Sequence, residues 1–235
     1  MSTEQRAHAL QVRIDHRVGD VRISVAFCAK PGITVLFGPS GSGKSTLLST
    51  IAGLTVADSG LVRLGDTTWL DTEQRVFMPV QARKIAFVFQ APALFPHMTA
   101  LANVMYGMDR TTPHEKSVAR ARELLARWDV AALAERKPGK FSGGEAQRVA
   151  LARAFATSPQ VILMDEPFSA LDDARRRTLA NGVKEMVASL GVPAIFVTHS
   201  VREAEALGDH VVLLEDGKIA QEGPPAQVLS AVSSL

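Results

Sequence analysis

Gly38-Pro39-Ser40-Gly41-Ser42-Gly43-Lys44-Ser45-Thr46 follows the apolar run Ile33-Thr34-Val35-Leu36-Phe37 and leads into Leu47-Leu48-Ser49-Thr50-Ile51. The order is strand, glycine-rich loop, helix. Gly-x4-Gly-Lys-Ser is the spacing of a loop that holds nucleotide phosphates. Its glycines allow a tight turn in which successive backbone N–H groups point inward at phosphate oxygens. The helix that follows adds its orphan N–H groups and its positive dipole end. Lys44 is then placed to reach the β- and γ-phosphates, and the Ser45 hydroxyl to ligate Mg²⁺. The bland alternative is a small-residue loop that caps a helix. The strand before it and the helix after it argue for a Mg²⁺-nucleotide site.

The chain of 235 residues is long enough for one large α/β domain or a core with a subdomain. No apolar run approaches the roughly 18 residues needed to cross a bilayer. Met1–His8 is polar and lacks a secretory apolar region. The single cysteine, Cys28, excludes an internal disulfide and fits a reducing compartment. Its apolar neighbours predict a small buried residue. A net charge of +2 with no basic block argues against a nucleic-acid binder.

Alternation of Leu10, Val12 and Ile14, then of Val21, Ile23, Val25 and Phe27, predicts a half-buried β-hairpin turning at Gly19-Asp20. Beside a nucleotide such a hairpin would meet the base, yet no aromatic lies between Leu10 and Phe27. His16, Arg17 and Val18 occupy that place. Leu61–Leu64 and the stretch around Trp69 predict further strands, with Trp69 packed inside. Ile85–Phe89 predicts a buried strand that delivers Gln90 at its C-terminal end, where parallel sheets bind ligands. The next segment, Ala91–Met98, is apolar and bracketed by prolines, so it is neither regular helix nor central strand. It is a buried loop or a docking surface for a partner. Residues 99–136 predict helices with Leu101, Val104 and Met105 on one face and Leu124, Leu125 and Trp128 on another, forming an inserted helical subdomain.

Phe141-Ser142-Gly143-Gly144-Glu145 opens a helix predicted over Ala146–Thr157, with Ser142 and Glu145 fitting a capping box. Two glycines in a first turn weaken a helix by roughly 1 kcal/mol each relative to alanine. They also make a second nest of N–H groups for an anion. A second phosphate site in a chain with one nucleotide pocket implies that two chains share each nucleotide. Val161–Met164 is a buried strand ending in Asp165 and Glu166. Asp165 is placed to hold Mg²⁺ and Glu166 to orient or deprotonate the attacking water. Asp172 precedes a helix that runs to about Leu190. Pro193–Thr198 is a buried strand ending in His199, the third polar group delivered to that sheet edge after Gln90 and Glu166. A hairpin around Asp216-Gly217 and a short helix near Val228-Leu229 close the chain, leaving little room for a C-terminal regulatory domain.

In this order the motifs resemble the ATP-binding-cassette ATPases over nearly the whole chain, from the hairpin to Gln221. Gly38–Ser45 matches the phosphate loop, with Thr46 beside it, Gln90 the glutamine loop, and Phe141–Glu145 the family signature with Phe in place of the usual Leu. Val161–Asp165 matches the second nucleotide motif with Glu166 as catalytic glutamate. Ser169–Asp172 matches the D-loop and His199 the switch histidine. The resemblance implies an α/β fold: a P-loop NTPase core with a mostly parallel sheet (1–90 and 159–235), an N-terminal antiparallel β subdomain and the helical insert (91–158), all one domain over 1–235. It also implies ATP and Mg²⁺, with Ser45, Gln90 and Asp165 on the metal. Each ATP would lie in a homodimer between the phosphate loop of one chain and Ser142, Gly143, Gly144 and Glu145 of the other, with Asp172 close by. Two membrane-spanning permease subunits would dock near Gln90–Met98, on the cytoplasmic face of the inner membrane, with a solute-binding protein as an indirect partner. Within the family, Val88–His97 with Tyr106-Gly107-Met108 is similar to ATP-binding subunits of bacterial molybdate importers, which usually carry an added C-terminal oxyanion-binding domain. Importers of sulfate, thiamine, ferric iron or polyamines are the alternatives, and a soluble cassette acting on nucleic acid or ribosomes ranks below them.

Overall fold

The computed structural model describes residues 8–169, 171 and 173–232. Period-two alternation over residues 10–29 builds the hairpin β1 (Leu10–Val18) and β2 (Val21–Ala29), paired so that Val18 faces Val21 across the turn. Leu10, Val12 and Ile14 point inward from β1, and Ile23, Val25 and Phe27 from β2. The same alternation corrects the expectation for Cys28. Between the inward Phe27 and Ala29 it falls on the outer face of β2 and is exposed.

After β3 (Gly32–Phe37) and helix α1 (Lys44–Ala52) the chain forms β4 (Ser59–Leu64), β5 (Thr67–Asp71), β6 (Val76–Phe77) and β7 (Ile85–Val88). Helices α2 (Ala100–Met105), α3 (His114–Arg127) and α4 (Gly143–Ala156) follow, packed on one another. Then come β8 (Val161–Asp165), α5 (Asp173–Leu190), β9 (Pro193–Thr198), α6 (Val201–Leu207), the hairpin β10 (His210–Glu215) and β11 (Lys218–Gly223), and α7 (Pro225–Val232). The strands join in one sheet in the order β6-β5-β4-β1-β2-β11-β10-β3-β9-β8-β7. From β10 to β7 all pairings are parallel, whereas β6 to β2 pair antiparallel. The two halves meet through β11 and β2 at a single registered pair, Lys218 with Ser24.

Strand parity decides which layer each side chain enters. Ile162 and Met164 of β8, and Ala194 and Phe196 of β9, pack toward the helices of the insert and α5. Val161 and Leu163, with Ile195 and Val197, face the opposite layer, which holds α1 and the antiparallel strands. Helix α1 is covered on both sides, so Leu47, Leu48 and Ile51 are fully buried. Trp69 is buried in the same layer, as packing and not as a ligand platform.

Arg83 carries no local signal of its role. Only 3% exposed, it donates from Nη1 to the Ile51 carbonyl (2.7 Å) and from Nε to the Met78 carbonyl (3.0 Å). It thereby satisfies carbonyls at the C-terminal end of α1, which also needs Gly53 in the left-handed region (φ 82°). A Cβ on Gly53 would sit 2.6 Å from the guanidinium carbon. Replacing Arg83 by Met strands these buried carbonyls and should lower stability by about 2–4 kcal/mol. A urea titration at unchanged m-value reads this, and a midpoint equal to wild type would contradict the role.

Candidate active site

The phosphate loop takes its shape from close approach. A Cβ on Gly38 (φ 151°) would meet the Leu214 carbonyl oxygen at 2.1 Å, and one on Gly43 (φ 97°) the Ile23 side chain at 2.7 Å. The first contact is with backbone, which cannot yield, and both φ values favour glycine. Gly41 (φ 84°) instead faces open space. Pro39, Ser40, Gly41 and Ser45 are exposed, so the loop forms a shelf and not a closed cavity. Lys44 is 5% exposed and folds back over the loop. Its Nζ donates to the carbonyls of Gly38 (2.9 Å) and Pro39 (2.7 Å), with Ser42 Oγ at 3.4 Å. Burial lowers its pKa, while Glu166 and Asp165 nearby favour the charged form. Thr46 contributes its carbonyl to Thr50 Oγ1 (2.9 Å) inside α1.

Parity places Asp165 on the α1 side of β8, with Val161 and Leu163. There the Ser45 hydroxyl donates to Asp165 Oδ1 at 3.0 Å. Burial raises the Asp165 pKa. The Ser45 hydrogen bond opposes the rise, Glu166 adds to it and Lys44 counters it. A hydroxyl and a carboxylate are hard oxygen donors of the kind Mg²⁺ takes, and this carboxylate lacks a full counter-charge. The residues therefore fit Mg²⁺. Among the described residues no cluster of three or more His, Cys, Asp or Glu forms a metal cage. That suits an ion that leans on one or two protein ligands and on substrate phosphates.

Glu166 ends the strand abruptly with φ at 42°, a left-handed conformation rare for a non-glycine residue. Its N–H bonds the Val197 carbonyl (3.1 Å), which turns the side chain toward the end of β9. There Glu166 Oε1 lies 3.1 Å from His199 Nδ1. The glutamate side chain is 20% exposed and the histidine 60%, so the pair is open to solvent on the imidazole side. Gln90 is exposed two residues beyond β7, which stops at Val88 and not at Phe89.

The Ser142–Glu145 segment is built elsewhere. Helix α4 starts at Gly143, three residues earlier than the sequence suggested, because the capping box sets Ser142 as N-cap. Glu145 N–H bonds Ser142 Oγ (3.3 Å), and Glu145 Oε2 accepts from Ser142 N–H (2.7 Å) and Oγ (2.9 Å). The hydrogen bonds from Ser142 hold the Glu145 carboxyl below its usual pKa. Gly143 is exposed, while a Cβ on Gly144 would come within 3.0 Å of Leu171 Cδ2. Among the described residues no hydrogen bond or ion pair links this segment to the phosphate loop. Asp172 lies outside the described residues.

The loop after Gln90 owes its form to two polar groups that sequence reasoning missed. Asn103, fully buried, accepts from the Phe95 N–H (2.8 Å) and donates to the carbonyls of Phe95 (3.2 Å), Met98 (3.3 Å) and Thr99 (3.0 Å). Arg153 donates to the carbonyls of Ala93 (2.9 Å) and Pro92 (3.2 Å) and stacks over Phe95. Ala93 is itself left-handed, with φ 47°. Each had a signal available, a polar residue inside an otherwise apolar helical run. The segment is thus a held surface, with Phe89 and Tyr106 exposed beside it.

Residues 24–169 match the family described as "ABC transporter". The chain is 44% identical over 201 residues to the molybdenum import ATP-binding protein ModC of Pseudomonas savastanoi pv. phaseolicola, covering 85% of this chain and 55% of that protein. It is 38% identical to ModC of Mesorhizobium japonicum, covering 97% of this chain and 61% of the relative. The chain thus spans little more than half the length of these relatives. Among solved structures, the dimeric ATP-binding cassette MJ0796 in a post-hydrolysis state bound to ADP and Pi superposes with a TM-score of 0.78 at 31% identity. The match covers 92% of this chain and 98% of that one.

Removing the poorly compensated charge at Asp165 should stabilise the metal-free protein. The folded state raises this pKa, so the folded chain binds the extra proton just above the ordinary aspartate value, and stability falls as pH rises through the folded value. Without metal or nucleotide, Asp165→Asn should melt about 2–4 °C above wild type at pH 7.5. The advantage should shrink toward pH ~4. An equal gain at both pH values, or a loss at pH 7.5, would contradict the assignment.

Proposed function

Because the chain belongs to the ABC transporter family, we propose that it is the ATP-binding and ATP-hydrolysing subunit of an importer of a small oxyanion. Molybdate is the substrate suggested by the names of its relatives. The observation that carries the hydrolytic part is the juxtaposition at the ends of β8 and β9: Ser45 on Asp165 at 3.0 Å and His199 on Glu166 at 3.1 Å.

In this reading Lys44 exchanges its carbonyl partners for β- and γ-phosphate oxygens, which its buried ammonium can hold with strong charge-assisted bonds. Gly38–Thr46 supplies backbone donors. Ser45, Asp165 and Gln90 would hold Mg²⁺, which when bound would supply positive charge against the phosphates. Glu166 is tied to His199 through Oε1, leaving Oε2 to orient the attacking water and accept its proton. The water oxygen bonds to the γ-phosphorus as the bond to the bridging oxygen breaks, giving ADP and phosphate. His199 holds the glutamate in place and lends its imidazole to the γ-phosphate.

The exposed helix end at Ser142–Glu145 completes the site of a second copy, which explains why one chain carries two anion-receptive helix starts. ATP then sits in a homodimer, with Asp172 of the D-loop at the contact. Residues 91–158 act as a helical arm within the single domain, and the rigidly held surface from Gln90 to Met98 meets two permease subunits. This puts the chain at the cytoplasmic face of the inner membrane. No helix among the described residues is long and apolar enough to cross it.

Glu166→Gln should reduce phosphate release by about 10²-fold or more while leaving ATP binding in place. Host cells relying on this variant should lose uptake of labelled molybdate. Wild-type hydrolysis by the variant would overturn the catalytic assignment. Loss of sulfate uptake with molybdate uptake intact would overturn the substrate.

A further inference from the structure

Behind the Glu166–His199 pair lies a second charged pair that the proposed chemistry does not use. Glu203 is 8% exposed. Its Oε2 accepts from Thr198 Oγ1 at 2.5 Å, and its Oε1 lies 3.2 Å from Arg176 Nε. Thr198 and Ser200 flank His199. The Thr198 hydroxyl also accepts the Ser200 N–H (3.0 Å), and Ser200 Oγ accepts the Glu203 N–H (3.4 Å). On the other side, Arg176 Nη2 donates to the Leu171 carbonyl at 2.9 Å. Leu171 belongs to the turn that begins at Glu166: its N–H bonds Phe168 O (3.1 Å), and Ser169 N–H bonds Glu166 O (3.2 Å).

We propose that Arg176 and Glu203 are positioning residues that strap the loop bearing His199 to the loop bearing Glu166 and so fix the geometry of that pair. The proposal rests on reading Glu166 and His199 as the hydrolytic groups. Parity supports it. Thr198 shares the face of Ala194 and Phe196, the side covered by α5 and α6, so its hydroxyl meets Glu203 while His199 emerges at the strand end. Burial of an ion pair is weak evidence for stability, since apolar residues of similar volume often serve as well. What charge adds here is direction. Nη2 hydrogen-bonds the Leu171 carbonyl while the same planar cation lies 3.2 Å from the Glu203 carboxylate, an arrangement that a lysine ammonium on a flexible stem does not reproduce. The strap also reaches the signature helix, because the Leu171 side chain packs against Gly144.

The test compares Glu203→Gln, Arg176→Lys and Thr198→Val with wild type, using steady-state ATP hydrolysis and ¹⁵N NMR of the His199 imidazole. Each variant should lower kcat by about 10- to 100-fold, the scale of an ångström-level misplacement. KM for ATP should stay within about two-fold. The Nδ1 resonance should lose its hydrogen-bonded signature. Arg176→Lys should fail to rescue, and the Arg176→Lys/Glu203→Gln double variant should be no slower than the worse single. Wild-type kcat in all three, rescue by lysine, or an unmoved His199 resonance would overturn the proposal. Glu166→Gln, run in parallel, separates the two levels. If it turns over normally, the hydrolytic reading itself falls. If it is inactive while the strap variants match wild type, only the strap falls.

Discussion

Parallel pairing of β3, β9, β8 and β7 is the constraint on which the rest depends. In-register parallel strands end together, and their registers align Phe37 with Thr198, Asp165 with Val197 and Val88 with Met164. Whatever follows each strand must open on one edge of the sheet. The phosphate loop, Glu166, His199 and Gln90 are what follow. Their convergence needs no long-range search by flexible loops. It is set once the Val/Ile/Leu-rich strands are buried on both faces, as parallel strands require.

Against that rigid edge the chain keeps several features that do not favour the folded state. Asp165 holds a half-buried charge, Lys44 is desolvated, and Glu166 and Ala93 adopt left-handed backbone. Such departures collect where a ligand or a partner is to be met. Compensation comes from buried or half-buried cations and amides that bind carbonyls: Arg83 beneath α1, Asn103 and Arg153 under the loop after Gln90, and Arg176 beside Glu203. The edge that carries Ser45, Asp165, Glu166 and His199 thus stands on a second tier of polar contacts just behind it.

What the sequence disclosed followed from local physics. Spacing exposed Gly38–Thr46, and apolar runs exposed β3, β8 and β9 with the polar groups at their ends. The capping box was legible from Ser142 and Glu145, although the helix begins at Gly143. Contacts across long separations were not legible. Arg83 reaches back to Ile51, Arg153 to Pro92, and Arg176 joins a turn to a distant loop. Nothing in the neighbours of a lone arginine says which carbonyl it serves. Cys28 went the other way: its apolar neighbours suggested burial, while the period of the strand turned it outward. Pairing of the two halves of the sheet through Lys218 and Ser24 likewise had no local signal.

In the proposed function, the phosphate loop of one copy and the Ser142–Glu145 helix end of another close on the same nucleotide. Sedimentation of the Glu166→Gln chain in the presence of Mg²⁺ and ATP, with and without Gly143→Asp, measures that closure. An aspartate suits the first turn of a helix, so the fold should be kept, while its charge repels a phosphate arriving there. Glu166→Gln alone should form a nucleotide-dependent dimer, and adding Gly143→Asp should leave a monomer that still binds ATP. A dimer of equal strength in both chains would contradict it.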